Sequence, residues 1–188
     1  MEVPPQLELP WQLFKALYVK DPEAANLFYL AEILPRELRL LKEAFQREHS
    51  NPPQYASSIH TLGQSVEAPV IAAWLLGVQA MHLLATERTL PGVETIKELL
   101  PEVQVSHSLV PAEDLEAVAK AAEEAAGRLP EPLALDMTGG TKVMAAGMTL
   151  AAERLGAALY YVASRSKSEF RRPLPGSERL VLVRNSVK

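Results

Sequence analysis

The chain has 188 residues, 48% of them hydrophobic and 22% charged, with a formal net charge of -4. That length can bury a sizeable core, and the acidic balance argues against general attachment to duplex nucleic acid. Cysteine is absent, which excludes a disulfide framework, thiol catalysis and thiolate metal sites. The opening MEVPPQLELPWQ lacks a basic start leading into an apolar run, and no later stretch approaches an uncharged span of membrane length. A soluble, cytoplasmic protein with no membrane association is therefore expected.

Residues 1–54 read as a small helical N-terminal segment. PWQLFKALYV and DPEAANLFYLAEIL each carry apolar residues at helical spacing, the second opened by Asp21 as cap and Pro22 in the first turn. PRELRLLKEAFQREHS sets Leu38, Leu41 and Phe45 on one side and charges on the other, and NPPQ stops it. Three short helices are marginal as an independent domain. Their apolar faces are expected to pack on the following domain or on a second subunit.

From Tyr55 the pattern alternates. YASSIHTLG, AMHLLAT, VQVSHSLV, PLALD, AALYYVAS and ERLVLVRN read as strands. SVEAPVIAAWLLGV, PGVETIKELLP, AEDLEAVAKAAEEAAGRL and TKVMAAGMTLAAERLG read as the helices between them. Strands alternating with helices of this length predict an α/β fold over residues 55–188, a Rossmann-like, mainly parallel sheet with helices on both faces. Such sheets bind ligands beyond the carboxyl ends of their strands, near the point where strand order reverses. At those ends the sequence supplies Thr61 to Ser65 after the first strand and Thr86, Glu87 and Arg88 after the second. After the fourth it supplies Thr138, Gly139, Gly140, Thr141 and Lys142.

The last of these runs is the most informative. In LALDMTGGTKVMAAG a short apolar strand breaks into two glycines and a helix opens near Thr141. The first amides of that helix have no partner inside it, and the positive end of its dipole faces the turn. Gly139 and Gly140 let the backbone approach a ligand, and Thr138, Thr141 and Lys142 add hydroxyls and a positive charge. A phosphate or a ribose phosphate backbone suits such a turn. The bland alternative is a Gly-Gly turn capped by Thr141 with Lys142 in solvent. The spacing is neither that of a Walker A loop nor that of a dinucleotide fingerprint.

LALDMTGGTKVMAAG, with IHTLGQSVEAPV and MHLLATERT at the first two strand ends, resembles the CARF domains, the CRISPR-associated Rossmann-fold sensors of type III CRISPR systems. The resemblance covers about residues 55–188. It implies a homodimer that binds one cyclic oligoadenylate, cyclic tetra-adenylate first among them, across its two-fold axis in antiviral defence. It also implies that Gly139, Gly140, Thr141 and Lys142 cradle a phosphate, that Thr138 reaches a ribose or phosphate oxygen, and that Gln64, Ser65, Thr86 and Glu87 line the pocket. No cofactor or metal is implied. Some CARF proteins are ring nucleases; by the same resemblance Lys142 with Thr141 would then be the catalytic pair, aligning a ribose 2′-hydroxyl on its phosphate without a metal. Relatives commonly carry an appended effector; the expectation here is a sensor acting through an unidentified effector protein, or one whose residues 1–54 are a reduced effector. A third reading is an ordinary nucleotide-binding Rossmann protein.

Other residues carry weaker signals. His60, His82 and His107 fall in strands with no metal-ligand spacing around them, and read as strand residues. RSKSEFRR, residues 165–172, is a basic run in an acidic chain: a solvated loop, or a lid in which Arg165, Lys167 or Arg171 covers the ligand. Trp74 reads as core or dimer surface, and Asp136 as a brace for the turn.

Overall fold

A computed structural model describes residues 3–49, 51–167, 170 and 172–186. The chain divides into two compact units. One joins Met1–Pro52 to Ala163–Arg179; the other joins Pro53–Val162 to Leu180–Lys188.

The first unit begins with α1 (Pro5–Lys20), then α2 (Pro22–Phe28), a π-helical turn (Tyr29–Ile33) and α3 (Leu34–Glu48). Asp21 caps α2, its Oδ1 accepting from the amides of Glu23 and Ala24, as its position before Pro22 predicts. The second and third helices expected from sequence are continuous through the π turn. Aromatic rings make the core: Trp11 stacks on Phe14 at 4.9 Å, and Phe14 meets Tyr29 edge-on at 5.6 Å. Within this unit the helices find a partner that sequence did not suggest, the excursion after residue 162. Its short hairpin of β6 (Ser166–Lys167) and β7 (Arg172–Pro173) brings the Arg172 guanidinium 4.1 Å above the Tyr29 ring and within 2.9 Å of Asn26 Oδ1. The basic run is thus not wholly solvated, since Arg172 is engaged within this unit; of the three lid candidates, Arg171 and the Lys167 side chain lie outside what the structure describes.

The second unit is built on β1 (Ser57–Thr61), β2 (Ala80–Ala85), β3 (Gln104–Leu109), β4 (Leu133–Asp136), β5 (Ala158–Ala163) and β8 (Arg179–Arg184), in the spatial order β3-β2-β1-β4-β5-β8. The pairs β1 with β2, β2 with β3, β1 with β4 and β4 with β5 are parallel. Helices α4 (Glu67–Leu76), α5 (Gly92–Leu99), α6 (Leu115–Ala126) and α7 (Lys142–Leu155) make the crossovers. Every residue of β1, β2 and β4 is buried, as parallel strands covered on both faces require. Ile59, Leu84, Leu135 and Leu159 meet Val118, Ala122, Met144, Met148 and Ala151 in one apolar core. At Gly147 an added Cβ would stand 2.8 Å from Leu115 O and Val118 Cβ; a side chain there would push α6 and α7 apart. Among the described residues no helix is long and apolar enough to cross a membrane.

Candidate anion site at the switch point

The strand order reverses between β1 and β4. From β1 the chain crosses toward β2, and from β4 toward β5, which makes this the switch point beside which α/β sheets bind ligands. The β4 loop holds Thr138 to Thr141 and the β1 loop Leu62 to Val66, as the sequence predicts.

Backbone packs on backbone where these two loops meet. A Cβ on Gly63 would lie 2.7 Å from the amide nitrogen of Gly140, and one on Gly139 would lie 2.1 Å from the carbonyl oxygen of Thr61. Neither position admits a side chain. Gly140 has φ +79, in the left-handed region that glycine adopts without strain. The Thr61 hydroxyl donates to the Gly139 carbonyl at 2.6 Å, tying the loops together.

Both threonines of the turn use their hydroxyls inside the protein. Thr141 is the N-cap of α7: its Oγ1 accepts from the Met144 amide at 3.2 Å and donates to the Ala112 carbonyl at 2.7 Å. Thr138 Oγ1 donates to Asp136 Oδ1 at 2.5 Å and accepts from the Val162 amide at 2.7 Å. A hydroxyl has one proton to give, so neither side chain has one left for a ligand. What remains is main chain and charge. Among the described residues, the amides of Gly139, Gly140 and Thr141 have no protein acceptor, and Lys142, exposed at the first position of α7, makes no ion pair. Unpaired amides at a helix start with an ammonium group beside them are a donor set suited to an anion.

The remaining residues expected at the site fall on the neighbouring loops. Gln64 and Ser65 are exposed on the β1 loop, and Ser65 Oγ donates to Glu67 Oε2 at the start of α4. Thr86 braces the β2 loop, its amide donating to Thr89 Oγ1 at 2.9 Å, and Glu87 is exposed. Arg88 is drawn toward the β1 loop: with the carboxamide turned to suit both groups, Gln64 Oε1 accepts from Arg88 Nη2 and, at 3.1 Å, from Nε. That clamp joins two loops the sequence reading left separate.

Beneath the turn lies a second feature that sequence reasoning missed. His60 Nδ1 is 3.2 Å from Asp136 Oδ2, and His60 Nε2 is 2.6 Å from Ser58 Oγ. The strand register sets His60 directly opposite Asp136, so the acid partner of this histidine is 76 residues away in the chain. Ser, His and Asp in this order resemble a nucleophilic triad, but all three are 0% exposed. No substrate reaches them. Trp74 is 41% exposed on α4, which corrects the first of its two readings, core or dimer surface. Among the described residues, no group of three or more His, Asp or Glu side chains is placed to hold a metal.

The parallel sheet, with unpaired amides and an exposed lysine at its switch point, defines a Rossmann-type α/β domain of the class that commonly takes ligands at that position. No family model matches the chain. It is 34% identical over 177 residues to the CRISPR system endoribonuclease Csm6 of Thermus thermophilus; the match takes in 88% of this chain and 36% of that protein, so the chain spans about a third of its relative's length. Its fold matches Can2 of Sulfobacillus thermosulfidooxidans, solved in complex with cyclic tetra-adenylate, with a TM-score of 0.57 and 19% identity over 70% of this chain and 35% of that one. The chain carries a CARF domain, the CRISPR-associated Rossmann fold.

Proposed function

We propose that this domain is a cyclic oligoadenylate sensor of type III CRISPR defence, acting in the cytoplasm, and that the ring sits across the two-fold axis of a homodimer. The observation that carries the reading is the set of unpaired amides at Gly139, Gly140 and Thr141 beside the exposed Lys142. A ring of adenosines joined by phosphodiesters offers one anion per linkage, and a two-fold pair of such turns offers matching donors on opposite sides of it. The complex of Can2 with cyclic tetra-adenylate supports a ring of that size as the first ligand to try. Gln64, with its oxygen occupied by Arg88, presents its amide NH2 toward acceptors on the ligand, and Arg88 keeps further guanidinium donors for phosphate. Ser65, Thr86 and Glu87 line the same edge.

Thr138 and Thr141 enter this account as braces rather than as ligand donors, because their hydroxyl protons are already committed. The same fact weighs against the ring-nuclease alternative. With the Thr141 hydroxyl bound to Ala112 O, charge developing on a cleaving phosphate would meet only amides and Lys142. Binding without turnover is therefore the leading form of the proposal. The relative's endoribonuclease activity belongs to a protein roughly two and a half times as long, and an effector answering the bound ring is a separate partner or segment.

Incubation of the protein with labelled cyclic tetra-adenylate in EDTA tests both forms together. Ring retained intact on the protein supports the sensor, linear product supports the nuclease, and failure to bind this ring or the six-membered one removes the proposal.

A further inference from the structure

The polar chain beneath the turn is costly unless it serves a purpose. Serine, histidine and aspartate that are wholly buried each lose their hydration, and the loss is offset only when every donor and acceptor is matched. Here they are matched. If the Ser58 hydroxyl donates to His60 Nε2, then His60 Nδ1–H donates to Asp136 Oδ2, leaving Asp136 Oδ1 for the Thr138 hydroxyl. Thr138 Oγ1 in turn receives the Val162 amide from the end of β5. The chain of bonds thus runs from β1 through the end of β4 to β5, passing through Thr138, the residue before Gly139.

A carboxylate at this position would by itself oppose an anion on the turn. Both its oxygens are instead engaged by donors from within the protein, and the Thr138 hydroxyl is turned inward as a pin for the loop. Ser58 and His60 lie on the face of β1 opposite Ile59, which belongs to the apolar core under α6 and α7. An apolar residue at position 60 would therefore bury as readily as histidine, but it could not hold Asp136.

We infer that His60 is a positioning residue for the anion-binding turn: donating from Nδ1, it fixes the Asp136 carboxylate, and through Asp136 and Thr138 it holds the Gly139–Gly140 backbone with its amides outward. The ligand side of this inference rests on the function proposed above; the loop side does not.

Two substitutions separate hydrogen bonding from packing. His60→Leu fills the space without a donor. His60→Asn is smaller but keeps an amide nitrogen close to where Nδ1 stands. Backbone 15N relaxation of the free protein should give order parameters near about 0.85 for residues 138–141 in the parent and the Asn variant, falling toward about 0.6 in the Leu variant. Imidazole 15N shifts of the parent should show the Nδ1–H tautomer for His60. Titration with cyclic tetra-adenylate should show about a tenfold weaker affinity for His60→Leu and a loss under about threefold for His60→Asn. A rigid turn in the Leu variant, an Nε2–H tautomer in the parent, or an Asn variant as impaired as the Leu one would overturn the inference. Should the parent protein fail to bind the ring, the proposed function falls, while the order parameters and tautomer still decide the role of His60.

Discussion

Lys142 and the two glycines before it divide the work of the site between charge and backbone. Lys142 is exposed and makes no ion pair among the described residues, so Lys142→Ala should leave the melting temperature unchanged. It should weaken binding of cyclic tetra-adenylate by about 1.5 to 3 kcal/mol, the range for a charge-assisted hydrogen bond, as read by calorimetry. Gly139→Ala should act through the backbone instead of through charge. Its methyl would collide with the Thr61 carbonyl at 2.1 Å, so both stability and binding are expected to fall, with the β1 and β4 loops shifting in the amide spectrum. The turn's local structure was legible in the sequence because glycine, cap and cation are adjacent there. The distant bonds of its threonines were not: Ala112 and Val162 are brought to Thr141 and Thr138 by loop geometry that no local pattern encodes.

At the scale of elements, the alternation of apolar strands and amphipathic helices gave the sheet and its crossovers from sequence, because covered parallel strands need continuous apolar runs. What escaped was register. His60 and Asp136 each read as isolated until β1 and β4 are laid side by side. His82 escaped in the same way: Ser106 and Ser108 on β3 hold its Nδ1 and Nε2 at 2.8 and 2.9 Å. Burial first, then the charges of Arg128 and His107, push its pKa down to about 4. The folded protein thus keeps His82 neutral, while the unfolded chain takes up a proton below about 6.5. Its contribution to stability is present above that pH and is lost as pH falls toward 4. Thermal melts of the parent and His82→Gln between pH 7 and 4 should converge as the pH drops; parallel curves would remove His82 as a source of acid sensitivity.

The whole molecule holds a surprise in its N-terminal part. The helices expected to seek a neighbouring domain or a second copy share a unit with residues 163–179, a long-range pairing that helical periodicity does not report. Its interior is polar as well as aromatic. Tyr29 donates to Glu37 Oε2 at 2.8 Å, the Gly176 amide donates to Glu37 Oε1 at 2.6 Å, and Glu178 is buried nearby. Burial, and next the Glu37 carboxylate, push Glu178 up to about 9. The folded unit therefore binds a proton that the unfolded chain releases above about 4.5, and stability declines as pH rises through that window. Glu178→Gln should remove the decline: in a Trp74→Phe background, where Trp11 fluorescence reports this unit alone, its melting temperature should exceed the parent's at pH 8 and match it near pH 4. Equal melting temperatures at both values would contradict the assignment.

The central claim is that the turn from Gly139 to Lys142 receives a phosphate of a cyclic oligoadenylate, with two copies of the chain sharing one ring. Calorimetric titration of the protein with cyclic tetra-adenylate, beside linear tetra-adenylate and the Lys142→Ala variant, tests it most directly. The account predicts one ring bound per two chains, weaker binding of the linear form, and loss of affinity in the variant. No binding, or one ring per chain with affinity indifferent to Lys142, would contradict it.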